Sequence, residues 1–169
     1  ISNKAGVLPA ADVKVLEDLG KMIEKRLGTD LAKIAKIEAS ETRAPGAKRT
    51  YGVNNLTDGS TTTYWATNDG TKQATLTFTW DSAQTLRYVS LMELVAKGQR
   101  VKKFKLEVSQ DGTNFRPVAE NIKQTTIGYK RIVCFPTVKT TRLRFTINSA
   151  KACPLISNIG VYCAPALPE

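Results

Sequence analysis

Apolar side chains in the first thirty residues recur at the spacing that places them on one face of an α-helix. These positions are Val13, Leu16, Leu19, Ile23 and Leu27. Pro9 and Asp12 stand where such a helix begins, and Gly28 stands where a left-handed cap would end it. The pattern predicts one amphipathic helix from about Pro9 to Leu27. We expect its apolar stripe to pack on the edge of the following domain or, alternatively, on a neighbouring domain.

From Ile34 onward the pattern changes to a period of two, which is typical of half-buried β-strands. The segment QATLTFTW is the clearest case, because Leu76, Phe78 and Trp80 alternate with threonines. Trp80 is therefore predicted to lie in the core. The segment YVSLMELV is apolar on both faces over most of its length, which favours a central strand.

Turn-forming residues separate the remaining predicted strands. FKLEVS runs into residues 110–114 and is followed by FRPVA, an order that predicts a hairpin. KRIVCFP, TRLRFTI and NIGVYC supply three further strands. Seven or eight short strands with regular turn signals predict an all-β protein, an antiparallel β-sandwich or jelly roll preceded by the N-terminal α-helix.

Length and charge narrow the functional classes. The chain has 169 residues, enough for one domain with a core, and its formal net charge is +10. Lys103 and Lys105 alternate with Phe104 and Leu106, so the charge is spread over outward strand faces and forms no single basic run. We therefore expect no nucleic-acid partner. No segment is expected to span a membrane, because no apolar run approaches the roughly 18 residues of a membrane helix, and a membrane is not the expected partner.

The sequence lacks the side chains that the common catalytic sites and metal sites require. The sequence contains no histidine, so the usual zinc sites and hydrolase triads cannot be built. Cys134, Cys153 and Cys163 lack metal-ligand spacing. We expect them to be buried free thiols, with a Cys153–Cys163 disulfide as the alternative.

Several motifs in order resemble the coagulation factor 5/8 type C, or discoidin, domain. They are NNLTDGSTTTYW, the central apolar strand, LEVSQDGTNF, an RLRF strand and a closing VY strand, across about residues 34–163. That superfamily has a galactose-binding-domain-like sandwich and includes the family 32 carbohydrate-binding modules. The resemblance implies that this chain binds carbohydrate.

A narrower set of strings is similar to the C-terminal β-domain of family 29 glycoside hydrolases, the α-L-fucosidases. These strings are LMELVAKGQRVKKFKLEV, TTIGYKRI, TTRLRFTI and PLISNIGVY, with the leading segment NKAGVLPAADVKVLEDLGKMIEKRLGTDLA. The resemblance implies that residues 1–30 are the last helix of a catalytic barrel and that residues 31–169 are a discoidin-like module. It also implies a periplasmic or extracellular enzyme.

In such retaining enzymes two carboxylates about 5 Å apart flank the sugar inside the barrel. Both would lie before Ile1, so we expect this chain to be non-catalytic. Its expected partners are its own catalytic barrel and a glycan, fucosylated or galactosylated. The alternative is a purely structural interaction module, or a discoidin-like domain that binds a protein or an anionic membrane surface.

Two groups of side chains are candidates for binding. The resemblance implies a structural calcium ion at Asp58, Ser60 and Thr63; the alternative is that Asp58 and Gly59 form a β-turn.

The sugar-binding candidates at one loop end are Glu93, Gln99, Arg100, Tyr129 and Lys130. Glu93 and Arg100 could instead form a structural ion pair, because a lone carboxylate is costly to bury. Tyr129 is the expected exposed platform for a sugar ring. Tyr64 and Trp65 are weaker aromatic candidates.

Overall fold

The computed structural model describes residues 6–120 and 125–163. Helix α1 spans Ala10–Leu27, and 3-10 turns lie at Leu31–Ile34, Val53–Leu56 and Val95–Lys97. The strands are β1 (Lys36–Ala39), β2 (Trp65–Ala66), β3 (Ala74–Glu93), β4 (Val101–Ser109), β5 (Arg116–Pro117), β6 (Arg131–Ala150) and β7 (Leu155–Tyr162).

All strand pairs are antiparallel, in the order β2-β7-β3-β6-β4-β5, with β1 also paired to β3. The first half of β3 pairs with β1 and its second half pairs with β7. Register shifts between Thr79 and Gln84 and between Leu86 and Tyr88 separate these halves. Because such irregularities bend strands, β3 and β6 pass through both layers of one β-sandwich. The predicted fold class is confirmed.

The structure has seven strands among the described residues, within the predicted number, but two of them were each predicted as two separate strands. QATLTFTW and YVSLMELV belong to one 20-residue strand, β3, and KRIVCFP and TRLRFTI belong to one 20-residue strand, β6. The polar residues between each pair of segments indicate a turn in the sequence. In the structure they lie at the bend, where the two strands stay paired to each other.

The core follows the period-two pattern. Leu76, Phe78 and Trp80 are buried, and the threonines between them are half-buried. The Trp80 indole Nε1 donates a hydrogen bond of 2.9 Å to the carbonyl oxygen of Leu31. This bond ties the segment after α1 to the core.

The predicted hairpin is confirmed. β4 pairs with β5 through Glu107 and Val108, and Gly112 in the connecting turn has φ +81°. On the outer face of β4 the carboxylate of Glu107 forms two ion pairs. Its Oε1 lies 3.0 Å from Nζ of Lys105, and its Oε2 lies 3.0 Å from Nη2 of Arg144. Charged residues therefore cover the outside of this strand, as the alternation predicts.

The boundaries of α1 match the prediction, but its packing on the sandwich edge does not. No residue of α1 is buried, and Leu16 and Ile23 are 54% and 49% exposed. Near its end, Met22 and Ile23 line a shallow depression with Tyr88 and Ile132. The helix therefore meets the sandwich only near its C-terminal end. Because the rest of its apolar stripe stays exposed, the expected packing along the sandwich edge is wrong.

Gly28 ends α1 without a left-handed backbone, since its φ is −71° and its ψ is −35°. A Cβ atom at this position would lie 2.4 Å from the carbonyl oxygen of Glu24. The predicted left-handed cap is therefore wrong. Glycine is required here for close approach to the preceding turn.

All three cysteines are free. Cys153 is buried as expected, whereas Cys134 and Cys163 are exposed. Cys134 differs from the expectation because it lies on the outward face of β6, between the buried Val133 and Phe135. Among the described residues, no helix has the length and apolar character needed to cross a bilayer.

Candidate functional site

A cavity of about 460 Å³ opens at the end of the sandwich where β3 finishes, and we call it the loop-end cavity. Met92, Leu94 and Val95 contribute apolar surface to it. Its polar and aromatic lining residues are Arg49, Thr61, Thr62, Glu93, Lys97, Tyr129 and the buried Ser157. The cavity thus combines an apolar surface with a few polar groups, which is the usual composition of a small-ligand site.

Glu93 is 3% exposed and binds the backbone of two neighbouring segments. Its Oε1 accepts hydrogen bonds of 2.8 Å from the backbone N–H groups of Arg100 and Val101. Its Oε2 accepts one of 2.9 Å from the N–H of Gly128. Three donors offset the cost of burying a carboxylate. Glu93 therefore fixes the walls of the loop-end cavity and is not free to receive a sugar hydroxyl.

The side chains of Glu93 and Arg100 form no ion pair in the described structure, so the predicted structural pair was wrong about which groups interact. The guanidinium of Arg100 donates to the carbonyl oxygen and the Sγ of Cys153, both at 2.9 Å. The tight turn after β3 brings backbone N–H groups to the Glu93 carboxylate instead. The anchoring role expected for the pair is retained, but it is performed by the backbone of Arg100.

Arg43 approaches the same cysteine from another loop. Its Nη2 lies 3.2 Å from the Sγ of Cys153, and it also forms an ion pair with Asp69. Burial alone would lower the pKa of Arg43, but Cys153 and Asp69 together raise it above its ordinary value. This cluster ties loops together beside the cavity.

Tyr129 is the predicted sugar platform, and it is 64% exposed on the rim of the loop-end cavity. Tyr64 and Trp65 are 4% and 0% exposed, so neither can stack on a sugar ring. Gln99 and Lys130 are exposed residues of the neighbouring loops and lie outside the lining of this cavity.

Apart from the apolar lining, sequence reasoning missed five lining residues: Arg49, Thr61, Thr62, Lys97 and Ser157. Lys97 lies two residues from the predicted Gln99 and could have been included on that basis. Arg49 gave no signal, because it belongs to an irregular segment 44 positions before Glu93 and has no motif around it.

The sequence profile of the F5/8 type C domain family matches residues 36–159. The chain belongs to this family. The matched residues include most of the sandwich and the Asp-Gly turns at residues 58–59 and 111–112.

Fucosidases are among the relatives of this F5/8 type C domain. It is 27% identical to Alpha-L-fucosidase 1 of Arabidopsis thaliana, covering 95% of this chain and 31% of the plant protein. The GH29 fucosidase of Ruminococcus gnavus, solved in complex with fucose, matches with a TM-score of 0.83 and 29% identity, over 97% of this chain and 32% of the enzyme. The domain therefore spans about a third of the length of these relatives.

A second solved structure shows the fold alone. Chitosan-binding module 1 of a chitosanase/glucanase from Paenibacillus sp. matches at 23% identity and a TM-score of 0.67, over 80% of this chain and 99% of the module. The resemblance to discoidin-like domains of family 29 fucosidases is confirmed by these comparisons.

The Asp58 loop of the F5/8 type C domain is bonded within itself. Oδ1 of Asp58 accepts a hydrogen bond of 2.8 Å from the N–H of Ser60, and Oδ2 accepts one of 2.6 Å from the hydroxyl of Thr63. No three acidic, histidine or cysteine side chains among the described residues could share a metal ion. Calcium takes six to eight oxygen ligands and favours carboxylates, so this donor set does not fit it well. The geometry favours the β-turn interpretation.

A second cavity of about 430 Å³ lies beside the β4–β5 hairpin, and we call it the hairpin cavity. Its exposed carboxylate, Asp111, accepts hydrogen bonds of 2.8 Å from the N–H groups of Thr113 and Asn114. These bonds hold the pKa of Asp111 well below its ordinary value, and the bond from the Asn114 N–H has the largest effect. Asp111 thus serves its own turn.

Proposed function

We propose that this chain is a carbohydrate-binding accessory module of an α-L-fucosidase and that it binds glycan in the loop-end cavity. The observation that carries the proposal is the exposed ring of Tyr129 on the rim of this cavity. Sugar rings stack on such aromatic faces, and hydroxyl groups such as those of Thr61 and Thr62 can donate to and accept from sugar hydroxyls. The fucosidase relatives support a glycan as ligand.

The loop-end cavity is also held in shape before any ligand arrives. Glu93 joins the turn after β3 to Gly128, the residue that precedes Tyr129. Leu94 N–H donates to the carbonyl of Leu155 at 3.0 Å, which joins the same turn to β7. A preformed site loses less entropy on binding.

We further propose that the chain itself hydrolyses no glycoside. Retaining hydrolysis needs two carboxylates about 5 Å apart at the sugar. Glu93 is the one carboxylate that lines the loop-end cavity among the described residues, and its oxygens are bound to backbone N–H groups. Purified chain should show no turnover of an aryl α-L-fucoside. Turnover that is retained after further purification would contradict this proposal.

The apolar stripe of α1 supports a second role, association with the catalytic domain of the parent enzyme. Leu16 and Leu19 of this stripe are 54% and 43% exposed, and large apolar patches on a surface mark interaction sites. Substituting Leu16→Asp and Leu19→Asp, which lie away from the contact of α1 with the sandwich, should lower the melting temperature of the full parent protein but not that of this chain. Equal effects on both would contradict the role.

Glycan binding is tested by NMR titration of fucose, galactose and fucosylated oligosaccharides into the chain. A shallow site against a strongly hydrated ligand predicts a Kd on the order of 0.1–1 mM. Tyr129→Ala should abolish the shifts. The matched control is Ile132→Ala, which removes an exposed apolar side chain outside the loop-end cavity. Unchanged binding by Tyr129→Ala would contradict the proposed site.

A further inference from the structure

The loop-end cavity carries two cations from separate loops. Arg49 belongs to the irregular segment before the Val53–Leu56 turn, and Lys97 ends the Val95–Lys97 turn. Both side chains are exposed, and both line the cavity together with Tyr129. Neither forms an ion pair with any residue in the ranges 6–120 and 125–163.

The acidic groups at this end are bound elsewhere. Glu93 is buried, and its oxygens accept N–H groups from Arg100, Val101 and Gly128. Asp58, in the loop that supplies Thr61, binds Ser60 and Thr63 of its own turn. The surface that a ligand meets is therefore cationic.

The Arg49 guanidinium is also oriented. It lies 5.5 Å from the ring centre of Tyr64, which in turn contacts the ring of Tyr51 at 5.4 Å. The backbone of Arg49 is held by a bridge to Gly46. An arginine placed in this way presents a fixed set of N–H donors that matches the oxygens of a carboxylate or sulfate group.

We infer that the ligand of the loop-end cavity is an acidic glycan, one that bears a carboxylate or sulfate group, and that Arg49 and Lys97 bind that group. This inference rests on the proposed glycan-binding function. Tyr129 receives the sugar ring in the same cavity, so ring and charge are bound together. A neutral sugar would leave both cations without a partner.

The shape of the site favours a glycan over an anionic membrane. Arg49 and Lys97 line a concavity of about 460 Å³, which is the size of small-ligand sites. A membrane surface requires an extended basic patch instead. Binding to vesicles is nevertheless kept as an outcome of the test.

The test compares matched neutral and acidic sugars, galactose and galacturonic acid, by calorimetry or NMR at low and high salt. Charge-assisted hydrogen bonds predict that the acid binds on the order of tenfold more tightly at low salt, and that the difference shrinks at high salt. Arg49→Gln and Lys97→Gln should each remove most of the preference for the acid. Lys102→Gln, an exposed lysine on β4, is the matched control and should leave it unchanged.

Equal affinity for both sugars, or an unchanged preference in Arg49→Gln and Lys97→Gln, would overturn the inference and leave the proposed glycan-binding function intact. Absence of binding to any neutral or acidic glycan would overturn both. Binding to phosphatidylserine vesicles without binding to galacturonic acid would assign the cations to a membrane and also overturn the inference.

Discussion

The loop-end and hairpin cavities have nearly equal volumes, about 460 and 430 Å³, but their carboxylates are placed differently. Glu93 is buried and joins two segments through backbone N–H groups, whereas Asp111 is exposed and bonds to its own turn. The loop-end cavity therefore exposes Tyr129 and two cations to a ligand. The hairpin cavity also exposes two cations, Arg116 and Lys139, but no aromatic side chain lines it, and its carboxylate is held by the backbone of its own turn. Cavity volume alone would not separate a binding site from a structural turn.

The largest effect is expected at Glu93. Glu93→Ala leaves three backbone N–H groups without their acceptor, so the free energy of unfolding should fall by about 3 kcal/mol or more. Urea denaturation measures this loss. Asp111→Ala should cost clearly less, because water can replace the carboxylate at an exposed turn. A loss of less than about 1 kcal/mol for Glu93→Ala would contradict the role of this residue.

A smaller, pH-dependent effect is expected at Asp111. Its pKa in the folded state lies below its ordinary value of 3.8, so ionised Asp111 stabilises the fold above about pH 4 and loses that contribution as the pH falls further. Asp111→Asn lacks this contribution at every pH. The melting temperatures of wild type and Asp111→Asn should therefore differ at pH 6, and the difference should shrink steadily as the pH falls from about 4 to 2. A constant difference would contradict the assignment.

No effect is expected from calcium. Both oxygens of Asp58 already accept hydrogen bonds from Ser60 and Thr63, so the loop is complete without an ion. Melting temperatures in excess calcium and in excess chelator should agree. A calcium-dependent rise that Asp58→Asn removes would instead establish the metal site.

The fold could be predicted because burial determines the period of the apolar positions. Leu76, Phe78 and Trp80 lie on one face of β3, and the period of two therefore records their common environment. The bends within β3 and β6 could not be predicted, since the polar residues at a bulge resemble those at a turn.

The candidate site could be predicted only in part. Tyr129 was identified because an aromatic residue among polar neighbours indicates exposure. The partners of Glu93 were missed because backbone N–H groups leave no mark in a sequence. Arg49 was missed because it reaches the loop-end cavity through the tertiary fold, and no local pattern connects it to Lys97 or Tyr129.

The measurement that tests the account most directly is a map of backbone amide chemical shifts on the wild-type chain during titration with galactose and galacturonic acid. The account predicts shifts at Arg49, Lys97 and Tyr129, larger with the acid, while Asn114 and Arg116 of the hairpin cavity stay unchanged. Shifts confined to the hairpin cavity, or no shifts with either sugar, would contradict the assignment of the loop-end cavity as the glycan-binding site.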